Sequence, residues 1–232
     1  MAEPRADFVD EAIELMHKAD AGDAKAQYTF ATYLLKEEDF AYRKDIQPDE
    51  IKRGMDYLRK SAAQGYLQGV AALDLGDIYY KGEIVAKDYK SAKLWYNTAL
   101  LKSHPIAAYM LGECAYYGCD EEIDYKKAVE FYLRATRGYI SVLIQLGNMY
   151  MRGEYLPYDP DFAKKLYDHV LKEEEQLFET HEFYSNAHDM VIESMKELEH
   201  IKKIRKPEAV QETEEQAAVR KKLLKILRKK KR

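Results

Sequence analysis

The chain has 232 residues, 34% of them charged, a formal net charge of −4 and two cysteines. No apolar run approaches the roughly 20 residues of a membrane-spanning helix, and two cysteines make no disulfide framework. The acidic stretch Met1–Asp10 lacks the apolar core of a secretory signal, so a reducing, cytoplasmic setting is expected.

In chain order, Phe8, Ala12, Leu15, Ala19 and Gly22 read as a lone N-terminal capping helix (residues 1–23). A first helix pair follows at 24–65, marked by Ala26, Phe30-Ala31, Gly54, Tyr57-Leu58 and Ser61-Ala62-Ala63-Gln64-Gly65. Its connecting loop, Glu37 to Glu50, is longer than those further on.

Three copies of one phrase come next, in segments 66–103, 104–139 and 140–174. The second of the four units carries Leu75-Gly76, Gly82, Asp88, Ala92 and Trp95-Tyr96. The third carries Leu111-Gly112, Gly118, Asp124, Ala128 and Phe131-Tyr132, and the fourth Leu146-Gly147, Gly153, Asp159, Ala163 and Leu166-Tyr167. The register advances by 36 and then 35 residues, a period that marks stacked repeats. Within each copy small and apolar residues recur at helical spacing, as in Ala72, Leu75, Gly76 and Tyr79. A mid-helix glycine costs about 1 kcal/mol against alanine, so Gly76, Gly112 and Gly147 imply close approach of a partner helix. Gly82, Gly118 and Gly153 suit left-handed C-terminal caps, and Asp88, Asp124 and Asp159 suit N-caps of a second helix. Neither helix of a pair can bury both faces alone, so neighbouring pairs must cover them. The expected fold class is all-α: a right-handed α/α solenoid of about four helix pairs with a C-terminal capping helix.

That capping helix is placed at 175–206, with Leu177, Phe178, Tyr184, Met190, Val191, Met195, Leu198 and Ile201 among charges. Capping is the default reading, because a stacked array needs a polar outer face at its end, and a dimerisation helix is the alternative that periodicity does not separate from it. Residues 207–216 read as an acidic linker. The tail at 217–232 places Val219, Leu223, Ile226 and Leu227 at helical spacing among nine basic residues: Arg220, Lys221, Lys222, Lys225, Arg228, Lys229, Lys230, Lys231 and Arg232. The other 28 basic residues face all 41 acidic ones, a balance of −13 on the remainder against +9 on the tail. Such a segment docks on anionic membranes, nucleic acid or acidic protein faces, its own acidic body included.

The repeat phrase resembles the Sel-one-like repeat family, relatives of the tetratricopeptide repeat, over residues 8 to 176. Ala71 to Gly82, Asp88-Tyr89, Ala92 and Trp95-Tyr96 carry the likeness, while Ala31 departs from it where the family has glycine. The resemblance implies a non-enzymatic adaptor or scaffold that assembles protein complexes. It also implies that first helices line a concave face. The superfamily's offsets put Lys25, Tyr28, Thr32 and Lys36 there, then Val70, Leu73, Asp77, Tyr80 and Lys81. Ile106, Tyr109, Glu113, Tyr116 and Tyr117 follow, and then Ser141, Ile144, Asn148, Met151 and Arg152.

Tyrosines beside isolated charges suit peptide capture, so Tyr28, Asp77, Tyr80, Lys81, Tyr109, Glu113, Tyr116, Tyr117, Asn148 and Arg152 are the candidate partner-binding residues. An unidentified protein or peptide is the expected partner. The alternative is a nucleic-acid or anionic-membrane binder working through residues 217–232. Some cysteine-rich relatives are linked to cell-wall and β-lactam chemistry, but this chain lacks their cysteine staples. No cofactor, metal or small-molecule substrate is expected: His181 and His188 lie seven apart without zinc-protease spacing, and Cys114 and Cys119 have no ligand partners nearby.

Overall fold

A computed structural model describes residues 6–35, 47–178, 187–204 and 212–228. Among these residues there are eleven α-helices and no strand, an all-α repeat fold. The chain forms two compact units, Met1–Cys114 and Ala115–Arg232, the division falling inside one helix.

In the first unit, α1 (Ala6–Asp20) packs on α2 (Ala24–Leu35), which pairs with α3 (Pro48–Ala63). A 3-10 turn, Tyr66–Gly69, leads into α4 (Val70–Lys81), which pairs with α5 (Tyr89–Leu101). The helix α6 (Pro105–Tyr117) spans the division. In the second unit α7 (Tyr125–Ala135) packs on α8 (Val142–Arg152), which pairs with α9 (Pro160–Phe178). Then come α10 (Ala187–Ile204), which packs on α8 and α9, and α11 (Glu214–Leu227).

The recurring glycines and aspartates do what their spacing predicts. Gly82 and Gly153 close α4 and α8 with φ of 73°, a left-handed conformation that a side chain disfavours. Asp88 accepts the Ser91 amide (3.0 Å), Asp124 that of Lys127 (2.9 Å) and Asp159 that of Phe162 (2.8 Å), each relieving one orphan amide of the second helix. The mid-helix glycines mark helix crossings. A Cβ on Gly76 would stand 2.4 Å from the Tyr96 ring, and one on Gly147 would stand 2.4 Å from that of Tyr167. Both rings are fully buried. In these two pairs the tyrosine of the second helix therefore fills a gap left by the first.

The α2–α3 pair solves the same crossing differently. Ala31 occupies the glycine position and Leu58 the tyrosine position, both buried. Gly54 gives room elsewhere in the pair: a Cβ there would meet the Leu35 side chain at 2.6 Å. Large side chains buried this fully stabilise the fold by about 1.5–3 kcal/mol each.

Three helix boundaries differ from the expected ones. The long loop stops at Gln47 rather than Glu50, because Pro48 suits a first helical turn and Gln47 and Glu50 form a reciprocal capping box. The helix expected from Glu175 is two helices: Glu175–Phe178 finish α9, since Lys172-Glu173-Glu174-Glu175 contains nothing to stop a helix, and α10 begins at Ala187. The supposed linker yields its last three residues to α11, which Thr213 caps with Gln216 in a second capping box. Residues 36–46, with Lys36 and most of the long loop, lie outside the described residues, as do His181 and residues 207–211 of the linker.

Candidate functional site

In the first unit the first-helix face is built around α2 and α4. Tyr28 donates its hydroxyl to Asp74 (2.9 Å) and tilts its ring on Tyr66 at 5.2 Å. Burial, and then the neighbouring carboxylate, push the Tyr28 hydroxyl far above its ordinary pKa, so it stays a donor. Tyr80 sits edge-on to Tyr89 at 5.4 Å. Lys25 and Lys81 are exposed, and Val70, Ile106 and Tyr109 are half-buried. Leu73 and Glu113 are buried. Thr32 turns back to its own helix, donating to the Thr29 carbonyl (2.9 Å).

Asp77 has an internal task. It accepts the Tyr96 hydroxyl at 2.8 Å, and in the second unit Asn148 accepts that of Tyr167 at 2.7 Å. In both cases the acceptor follows the crossing glycine and stands 19 residues before its tyrosine. A buried phenol needs an acceptor, and this position supplies it. Burial raises the Asp77 pKa above its ordinary value, partly offset by the Tyr96 hydroxyl. Asn148 does the same work without charge.

In the second unit Tyr116, Arg152 and two glutamates form a chain of polar contacts. Tyr116 donates to Glu154 Oε2 (2.5 Å) and accepts from Arg152 Nη1 (3.2 Å). Arg152 grips Glu197 of α10 with Nε (3.2 Å) and Nη2 (3.0 Å), a fork-to-carboxylate geometry. The hydrogen bonds to Glu197 raise the Arg152 pKa against the opposing effect of burial. Tyr117 is 60% exposed and meets Tyr116 edge-on at 4.9 Å. Ser141 is partly exposed. Ile144 and Met151 correct the sequence reading: both are fully buried, so neither can line an accessible wall. The reason is that α8 is packed by α7, α9 and α10 together, with Val191 and Leu198 of α10 also buried. Glu154 and Glu197 were missed; Glu197 lies 45 residues from Arg152, and no local pattern pairs them.

The tail helix α11 is folded onto its own unit. Val219 and Leu223 are buried. Arg220 binds Asp159 Oδ2 and Glu212 Oε1, each at 2.8 Å, with its guanidinium 4.6 Å from the Phe162 ring centroid and 5.2 Å from that of Tyr150. Burial alone would raise the Asp159 pKa, but the Arg220 hydrogen bond and the Phe162 amide hold it below its ordinary value. Lys126 of α7 reaches Glu215 (2.9 Å), and Gln216 donates to the Tyr155 carbonyl. Lys221, Lys222, Lys225 and Arg228 face solvent. Lys229, Lys230, Lys231 and Arg232 lie outside the described residues.

Cys114 and Cys119 are both buried. Among the described residues no group of three His, Cys, Asp or Glu is arranged to hold a metal ion, and no helix is long and apolar enough to cross a membrane.

Paired helices with one repeated crossing, and outward tyrosines and charges on the first helix of each pair, define a helical-repeat protein. The Sel1 repeat model matches residues 40–66, 69–104, 105–138 and 141–168, together more than half of the chain. This chain belongs to the Sel1 repeat family, whose members are generally non-catalytic scaffolds that bind other proteins.

A crystal structure of a protective antigen of uropathogenic Escherichia coli strains, described as displaying an SLR fold, superposes with a TM-score of 0.59 at 28% identity. The match covers 70% of this chain and 33% of that one. Two Arabidopsis thaliana proteins, the ERAD-associated E3 ubiquitin-protein ligase components HRD3B and HRD3A, are 33% and 32% identical over 84 residues, 36% of this chain. That stretch spans 14% and 12% of their lengths, so the likeness concerns a repeat segment and not those whole proteins.

Proposed function

We propose that the chain is a non-enzymatic adaptor that captures a peptide or protein segment on the outward residues of its first helices. The observation that carries this reading is a division of labour seen in the α4–α5 and α8–α9 pairs. The second-helix tyrosine and the crossing glycine hold the pair together from behind. Tyr117 and Arg152 in the second unit, and Tyr80 and Lys81 in the first, remain at or near the surface. Tyr117 supplies a large, rigid apolar anchor, and the Arg152 guanidinium supplies a carboxylate-reading fork whose ion pair with Glu197 is solvent-accessible on both sides. A partner carboxylate can therefore compete for Arg152 without disturbing the core. The Arabidopsis relatives, named as components of a ligase assembly, are consistent with work inside protein complexes.

The test begins with a peptide selected from a random library on the intact chain, its affinity then measured by titration calorimetry. Tyr117→Ala with Arg152→Ala is expected to weaken binding at least tenfold, roughly what removal of one aromatic and one Arg anchor costs at an interface. Melting should be nearly unchanged, since exposed ion pairs contribute about 0–1 kcal/mol. Equal affinity in the double variant overturns the assignment of this face.

A further inference from the structure

The α11 helix separates its two faces. One is spent on the fold: Val219 and Leu223 are buried, and Arg220 is held over Tyr150 and Phe162 by Asp159 and Glu212. The other presents Lys221, Lys222, Lys225 and Arg228 to solvent. Lys221, Lys225 and Arg228 fall within about 60° of one another around the helix and advance about 10 Å along its axis, so they form a row. The helix ends here, where its dipole favours cations.

We propose that this row is a docking strip for the phosphate backbone of nucleic acid, read by charge and not by sequence. A membrane surface fits less well for a physical reason. An amphipathic helix holds a bilayer by burying its apolar face among the lipids, with basic residues as the second contribution. Val219 and Leu223 of the α11 apolar face are already buried in protein and Leu224, Ile226 and Leu227 are half-buried, so little apolar area is left for lipid and the electrostatic contribution dominates. Backbone phosphates need only that contribution, because displacement of condensed counterions supplies nearly all of non-specific affinity. Base stacking is not available to this helix, since Glu214–Leu227 contains no aromatic residue. The remainder of the chain is net acidic and repels the same polyanion, which confines contact to the strip. Binding is therefore shallow and steep in salt. Four cations imply a slope of log K against log salt of about −3.6 on duplex DNA. This strip is separate from Tyr117 and Arg152, so failure of either proposal leaves the other standing.

The experiment uses the full chain and a short fluorescent DNA duplex, followed by anisotropy across a salt series. The wild type is expected to bind at low salt with a slope of about −3.6, and unlabelled duplexes of unrelated sequence should compete equally. Replacing Lys221, Lys222, Lys225 and Arg228 by Glu is expected to weaken binding by about tenfold or more, and the same four positions as Gln should fall between. All four side chains are exposed, so the Gln variant should melt close to the wild type, and the Glu variant somewhat lower because a helix C-terminus disfavours acids. Phosphatidylserine-containing vesicles form the contrasting arm, and the wild type is expected to leave them unbound at the salt concentration where it holds DNA. No duplex binding at low salt, equal binding by the Glu variant, or vesicle binding as tight as duplex binding would each overturn the proposal.

Discussion

The α2–α3 and α4–α5 pairs stand in the same unit and carry the same crossing with different residues. In α4–α5 the set is Gly76, Asp77 and Tyr96: a gap, an acceptor, and a ring that fills the one while donating to the other. In α2–α3 the corresponding positions hold Ala31, Thr32 and Leu58. All three have changed together. A leucine needs no glycine beneath it and has no hydroxyl to satisfy, so the acceptor is released and Thr32 bonds its own helix instead. The fourth repeat, with Gly147, Asn148 and Tyr167, shows that a neutral acceptor serves as well. The unit of design in these repeats is thus a linked trio. A copy that looks degenerate residue by residue is coherent when the trio is read as one.

The largest expected effects break the trio at its gap or at its ring. Gly76→Ala pushes a methyl into the Tyr96 ring, and overpacking of this kind costs about 1–3 kcal/mol, outweighing the roughly 1 kcal/mol that alanine contributes to helix propensity. Tyr96→Leu alone leaves a void and an unpartnered carboxylate, a loss of about 3 kcal/mol. Combining the two restores the α2–α3 match of small residue and leucine, with Asp77 still in the place of Thr32, and the double variant should be more stable than the sum of the single losses by about 1–2 kcal/mol. Urea melts of the four chains give the cycle. Simple additivity would mean that ring and gap are independent.

A smaller effect sharpens the contrast with the fourth repeat. Asp77→Asn keeps an oxygen for Tyr96 and removes a charge that burial disfavours. The Asp77 pKa is raised on folding, so its contribution is fully present below its unfolded value of about 3.8 and is lost as pH rises through the folded value. The variant lacks that loss. It should match the wild type in acid and melt higher at neutral pH, by about 2–4 °C for each kcal/mol recovered. A variant that melts lower than the wild type at neutral pH would show that the charge itself strengthens the Tyr96 bond.

The parts of this molecule legible in its sequence are those set by local chemistry at a fixed period. Gly82 and Gly153 need a positive φ, and Asp88, Asp124 and Asp159 meet an amide three residues on, so spacing alone reveals them. The need for a gap at Gly76 and Gly147 was equally plain. What fills each gap, and what the tyrosine hydroxyl then bonds, was not, because the acceptor at Asp77 or Asn148 reads as a surface residue until both helices of the pair are in place. Ile144 and Met151 failed as wall residues for a related reason: the helix that helps cover them, α10, comes from beyond the repeats. The docking of Arg220 on Asp159, 61 residues apart, left no periodic trace at all. Its sequence showed only a basic amphipathic helix, and the charge complement on the same chain decided where it lies.

Hydrogen–deuterium exchange on the intact chain, with and without the library-selected peptide, tests most directly whether first helices bind while second helices brace them. Bound peptide should slow exchange in the C-terminal turns of α6 and α8, around Tyr116, Tyr117 and Arg152, and leave α7 and α9 unchanged. Protection confined to α7 and α9, or to α11, would contradict it.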